Sequence, residues 1–203
     1  MIKNIIFDFG DVFINLNKQG PVDAFTKMGL QSWNEHLSTL NEQFEVGEIS
    51  EKTFLEGFQS QIPNHSLDEI KAGWNTILGD FPLYRLDFLQ TLKGNYRLFL
   101  LSNTDAIHIT HFRTMVGETF YNTFYQSFEK VYFSYEINLR KPNLSCYEFV
   151  IQDAKINPNE SLFVDDKLEN IEGAKLANLQ TWHLEVGQQD VIELLEQKTF
   201  KEI

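Results

Sequence analysis

Three short apolar runs in this chain end abruptly in polar residues. Ile5-Ile6-Phe7 stops at Asp8, Leu98-Phe99-Leu100-Leu101 at Ser102-Asn103-Thr104, and Leu162-Phe163-Val164 at Asp165-Asp166. Uninterrupted apolar runs this short read as strands buried on both faces, as in a parallel sheet covered by helices. In open sheets of that kind ligands bind beyond the carboxyl ends of the strands, so a substrate can reach polar groups placed there.

The rest of the chain fits such a sheet. Strands are expected at Lys3 to Phe7, Tyr96 to Leu101, Lys130 to Ser134, Ser161 to Val164 and Gln180 to Leu184, with helical stretches between the later ones. Residues 17–82 read differently, as helices only. Trp33, Leu37, Leu40 and Phe44 recur at helical spacing, Ser50 can cap a helix bearing Phe54, Leu55 and Phe58, and Ser66 with Glu69 makes a capping-box pattern. An earlier helix around Val22 and Phe25 is expected to stop near Gly29. A segment of that length inside the first crossover should fold as a unit, which predicts an α/β core of residues 1–16 and 83–203 and a helical cap of residues 17–82. Gln188 to Ile203 reads as a terminal amphipathic helix.

Composition narrows the partners. With 29 acidic against 17 basic residues among 203, the net charge of −12 opposes a phosphate backbone, so nucleic acid is not expected to bind. No apolar run approaches the roughly 20 residues of a membrane span. Met1-Ile2-Lys3 leads straight into the first strand without a secretory pattern, and the lone Cys146 cannot form an intrachain disulfide; both fit a cytoplasmic protein. Cys146 is expected to be buried filler, and nothing in the pattern sets the oligomeric state.

The strand ends supply chemistry that the overall charge does not. The Ser102 hydroxyl, Asn103 and backbone donors at the following helix suit a phosphoryl oxygen, although these residue types also serve as ordinary helix caps. Arg140-Lys141-Pro142-Asn143 follows the third strand, with Pro142 expected at the first helical position and Lys141 just outside it. The adjacent carboxylates Asp165 and Asp166 repel one another unless a divalent cation lies between them, and oxygen-only ligands favour Mg²⁺ over zinc. Asn170 lies four residues after Asp166 on the next helix. His108 and His111, and likewise Trp33 and Trp74, read as helix packing or surface.

The ordered set Asp8, Ser102, Lys141, Asp165-Asp166 closely resembles the motifs of the haloacid dehalogenase-like hydrolase superfamily, over essentially the full chain. The resemblance implies a Rossmann-like sheet of order 3-2-1-4-5. It also implies that Asp8 is the nucleophile forming an aspartyl phosphate, that Ser102 and Asn103 bind the phosphoryl group, and that Lys141 neutralises charge. Mg²⁺ would then be held by Asp8, Asp166 and the backbone carbonyl of Gly10, with Asp165 and Asn170 in support. Phe44 to Ser50 and Phe133 to Pro142 are similar to the small-cap subgroup, nearest to sugar-phosphate phosphatases and epoxide hydrolase N-terminal domains.

One position departs from that pattern. The usual second aspartate, which protonates the leaving group and then activates water, is replaced by Gly10, and Asp11 is expected to aim elsewhere. Two functions follow: a Mg²⁺-dependent phosphatase of a small phosphorylated metabolite such as a sugar phosphate, or a weak or inactive relative that only binds a phosphorylated ligand or partner. Phosphomutase and dehalogenase chemistry are disfavoured, the first because it needs the absent acid, the second because it leaves the acidic pair without a purpose.

Overall fold

The computed structural model describes residues 1–197 and 200. Its centre is β1, Asn4–Phe7, every residue of which is buried. This strand pairs in parallel with β2, Arg97–Ser102, on one side and with β4, Ser161–Asp165, on the other. The edge strands β3, Lys130–Phe133, and β5, Gln180–His183, complete the order β3-β2-β1-β4-β5.

Period-two alternation divides the strand side chains between two layers. Ile5, Phe7, Leu98, Leu100, Leu162 and Val164 face one apolar cluster, while Ile6, Phe99, Leu101, Tyr132 and Phe163 face the other. Burial on both faces explains why these strands read as continuous apolar runs.

Four helices lie between β1 and β2 ahead of the crossover helix. They are α1 (Gly20–Lys27), α2 (Glu35–Glu45), α3 (Glu51–Gln61) and α4 (Leu67–Asn75). Their starts follow the expected caps: Ser50 accepts from the Thr53 N–H at 3.1 Å, and Ser66 with Glu69 closes a capping box. Trp33 departs from expectation. Asn34 caps α2 by accepting from the Leu37 N–H at 3.0 Å, so Trp33 lies before the helix, 46% exposed, stacked on Trp74. Phe25, Leu37, Leu40, Phe44, Phe54, Phe58, Ile70 and Trp74 form a third apolar cluster, joined by Ile107.

Helix α5, Leu83–Leu92, leads into β2. Helices α6 (Ala106–Val116) and α7 (Glu118–Tyr125) follow β2 and bring Phe112 and Phe124 to the first sheet layer. After β3 come the short α8 (Ser134–Ile137) and then α9 (Leu144–Ala154), while α10 (Leu168–Leu176) joins β4 to β5. Cys146 is fully buried against Tyr147 and Val150 of α9, the filler role expected of it.

Three local expectations need correction. Ser134 begins α8 rather than ending β3. Pro142 is not the first helical residue, because α9 starts at Leu144 with Asn143 as its cap. The expected C-terminal helix is a 3₁₀ segment over Val191–Glu196, whose apolar Val191 and Leu194 reach the core; its continuation at 198–199 and 201–203 lies outside the described residues.

Candidate active site

The sheet register brings the acidic residues together. Phe7 pairs with Val164, and one residue further along each strand come Asp8 and Asp165. Between them reaches Lys141, only 1% exposed, whose Nζ donates at 2.7 Å both to Asp8 Oδ1 and to Asp165 Oδ2. Burial alone would lower the lysine, but the two carboxylates hold it well above its ordinary value. Burial pushes the Asp8 carboxyl up to about 7, against the pull of Lys141.

Several donors hold the Asp165 carboxylate. Asn170 Nδ2 donates to both of its oxygens at 3.0 Å, and the Lys167 N–H donates to Oδ1 at 2.8 Å. Asp165 and Asn170 thereby orient Lys141 beside the acidic group. Asn103 is a parallel case. Its side chain donates to the Lys141 carbonyl at 2.9 Å and accepts from the Lys141 N–H at 3.0 Å, so it fixes the lysine's backbone at the cavity wall.

Ser102 ends β2, buried at the cavity wall. The next turn is held by Ser134, whose hydroxyl accepts from the Thr104 N–H and donates to the Thr104 carbonyl, both at 3.0 Å. This part played by Ser134 is not visible in the sequence, because its partner lies 30 residues away.

Asp8, Asp165 and Asp166 each offer a carboxylate oxygen, and the three lie within 4.8 Å of one another. That donor set fits a hard divalent cation such as Mg²⁺. Burial and the neighbouring Asp165 raise Asp166, and Lys18 opposes them from 3.3 Å, one sign that this corner attracts positive charge. Lys18 also pairs with Asp11 at 2.7 Å.

Asp11 turns away from the cavity as expected. Its backbone is left-handed, at φ 54°, and its carboxylate accepts from the Leu16 N–H at 2.9 Å. Gly10 has no acid's side chain, and the space is occupied: a Cβ there would lie 2.8 Å from Leu16 Cδ1. Gly10→Asp should therefore displace the Leu16 side chain and lower stability modestly, by about 1 kcal/mol. Leu16→Ala should cost less in that background than in the parent chain. Denaturant unfolding of the four-member mutant cycle measures the coupling, and strict additivity would contradict a clash between the two positions.

Above these strand ends lies a cavity of about 230 Å³. Gly10, Ser102, Asn103 and Lys167 line it from below, and Asn41, Glu45, Trp74, Ile77 and Leu78 face it from the helical segment. Leu16, on the chain that follows β1, also reaches it. Arg85 holds the same stretch of chain, donating to the Phe13 carbonyl at 3.2 Å and to Asn15 Oδ1 at 2.9 Å while paired with Asp190.

One wall of the cavity is a polar cluster absent from the sequence reading. Asp105 caps α6 through the His108 N–H at 2.9 Å, meets the His108 imidazole at 3.0 Å, and accepts from Trp74 Nε1 at 2.9 Å. The His108 ring stacks on Trp74 with centroids 5.2 Å apart. Burial alone would raise Asp105, but the imidazole holds it below the usual carboxylate range, and Asp105 in turn raises His108. Packing was the expected role of His108 and Trp74; the ion pair that ties them to the β2 end was not visible, since Asp105 and Trp74 are 31 residues apart.

The haloacid dehalogenase-like hydrolase family model matches residues 2–178. The chain belongs to that family. It is 30% identical over 193 residues to D-ribitol-5-phosphate phosphatase of Bacteroides thetaiotaomicron, covering 92% of this chain and 94% of that protein. It is also 30% identical over 186 residues to a sesquiterpene phosphatase of Aspergillus oryzae, covering 90% and 89%. Among solved structures, a HAD family enzyme of Bacteroides thetaiotaomicron in complex with magnesium and inorganic phosphate superimposes with a TM-score of 0.84 at 34% identity, over 93% of this chain and 97% of that one.

Proposed function

We propose that this protein is a Mg²⁺-dependent phosphatase of a small phosphorylated metabolite, working through an aspartyl phosphate on Asp8. The observation that carries the reading is the buried Asp8–Lys141–Asp165 bridge at the carboxyl edge of the sheet, with Asp166 beside it. A carboxylate at that point can attack phosphorus, and the ammonium of Lys141 neutralises charge on both the nucleophile and the transferring group. Ser102 donates to a phosphoryl oxygen, and Asn103, Asp165 and Asn170 keep Lys141 in place.

Asp8, Asp166 and the Gly10 carbonyl would hold Mg²⁺. When bound, the cation supplies Lewis-acid stabilisation of the phosphoryl oxygens. Residues 17–82 act as the cap over the cavity, excluding water during attack and contacting the leaving group.

A polyhydroxylated leaving group suits the cavity, which sets Asn41, Glu45 and Lys167 among the apolar Ile14, Leu16, Ile77 and Leu78. The activities named for the ribitol phosphate and sesquiterpene phosphatases, and the magnesium and phosphate of the solved relative, agree with the reaction type. A panel of polyol, sugar and nucleoside monophosphates assayed with Mg²⁺ should reveal phosphate release that a chelator abolishes. Asp166→Asn should raise the Mg²⁺ concentration needed for half-maximal rate by about 10-fold or more. Release that survives chelation, or no release from any ester, would contradict the proposal; the latter is the outcome expected of a ligand-binding relative without turnover.

A further inference from the structure

A phosphatase acting on an alkyl ester has to protonate a poor leaving group, and position 10 cannot do so: Gly10 has no side chain, Leu16 occupies the space, and Asp11 is committed to Lys18 and the Leu16 N–H. The titratable or charged groups lining the cavity are Glu45, Asp105, His108 and Lys167. Asp105 is engaged by Trp74, by the His108 N–H and by the His108 imidazole. The other imidazole nitrogen lies 3.2 Å from the Trp74 carbonyl. Lys167 brings a lysine's compact charge, which suits anion binding.

Glu45 differs from all of these. It is the last residue of α2, and the chain just beyond it docks on the core. The Val46 carbonyl accepts from Asn138 Nδ2 at 2.8 Å, and Gly47, at φ 72°, lies so close to the Tyr135 carbonyl that a Cβ would collide with it. The carboxylate is thus carried to the cavity on a fixed helix end. Its buried Oε2 is ion-paired with Arg140 Nη2 at 2.8 Å, which holds one side of the carboxyl group while the residue lines the cavity.

We propose that Glu45 is the general acid for the leaving group, taking from the cap side the role that Gly10 leaves vacant. The inference rests on the phosphatase reading above. An Asp8 oxygen forms the new bond to phosphorus, the bond from phosphorus to the leaving oxygen breaks, and that oxygen takes the proton from the Glu45 carboxyl. In the second step Glu45 accepts a proton from water as the water oxygen attacks phosphorus; the bond to Asp8 breaks, phosphate leaves, and both carboxyl groups return to their starting states. Burial pushes the Glu45 carboxyl up, which favours the protonated form, while Arg140 and the more distant Lys167 and Lys141 oppose this and Asp105 reinforces it.

The test compares leaving groups, which a purely structural role would not distinguish. In the parent enzyme kcat/KM should vary weakly with leaving-group pKa between p-nitrophenyl phosphate and an alkyl phosphate turned over in the panel. Glu45→Gln should reduce kcat/KM for the alkyl ester by about 10²–10⁴-fold, while the aryl ester changes by about threefold or less. Retained aryl kcat/KM would itself report an intact fold, while aryl kcat should fall because the base of the second step is lost. A steep leaving-group dependence already present in the parent enzyme overturns the proposal without any variant. So does an equal loss on both esters with the unfolding midpoint unchanged, or a rise in KM alone for the alkyl ester, which would make Glu45 a hydroxyl-binding residue. Absence of release from both esters by the parent enzyme is a separate result, which would defeat the phosphatase reading itself.

Discussion

Asp8→Asn should abolish phosphate release, with a fall of about four to six powers of ten in kcat, as expected when an attacking group is removed rather than weakened. The substitution keeps the shape of the side chain and an oxygen able to accept from Lys141 Nζ, now 2.7 Å from Asp8 Oδ1. Thermal unfolding should therefore change far less than activity. Saturation kinetics on any ester turned over by the parent enzyme, paired with an unfolding curve, measures both. A variant retaining a tenth of the parent rate would rule out covalent catalysis at Asp8.

The second large effect is expected at Lys141, and it combines stability with activity. Lys141 is enclosed, and its ammonium is the shared partner of Asp8 and Asp165. Lys141→Met keeps much of the volume but leaves two carboxylates buried without their cation. Breaking a buried pair in this way costs about 3–5 kcal/mol, because the remaining charge keeps its desolvation penalty. Loss of charge stabilisation at the phosphoryl group should lower kcat by about 10²–10³-fold as well. Denaturant unfolding in chelator isolates the stability effect. Adding Asp8→Asn to Lys141→Met should recover part of the lost stability by removing one of the stranded charges, whereas additive losses would contradict a coupled bridge.

How much of this was legible in the sequence depended on distance along the chain. The strands could be read because each is buried on both faces, so a run such as Leu98-Phe99-Leu100-Leu101 carries its own signal. Asp8, Ser102, Lys141 and Asp165-Asp166 could be placed because their meaning comes from position at a strand end, and the register then sets Asp8 beside Asp165.

What the sequence left dark was pairing between remote segments. Asp105 looked like one more polar residue after Ser102-Asn103-Thr104, until Trp74 of α4 reached it. Glu45 followed an apolar stripe and gave no hint that it faced the β2 end across a cavity. Asn103, Asp165 and Asn170 could be named from the sequence, but only coordinates reveal the hydrogen bonds that tie Asn103 and Asp165 to Lys141 and Asp165 to Asn170. Gly10 was legible as a missing acid, but Leu16 filling the gap was not.

The account stands on covalent chemistry at Asp8, and the most direct measurement is to trap that bond. Substrate labelled with ³²P and acid-quenched during turnover should leave a hydroxylamine-sensitive label on the protein, and peptide mapping should place it on Asp8. Full turnover with no covalent label under those conditions, or a label on any other residue, would contradict the mechanism.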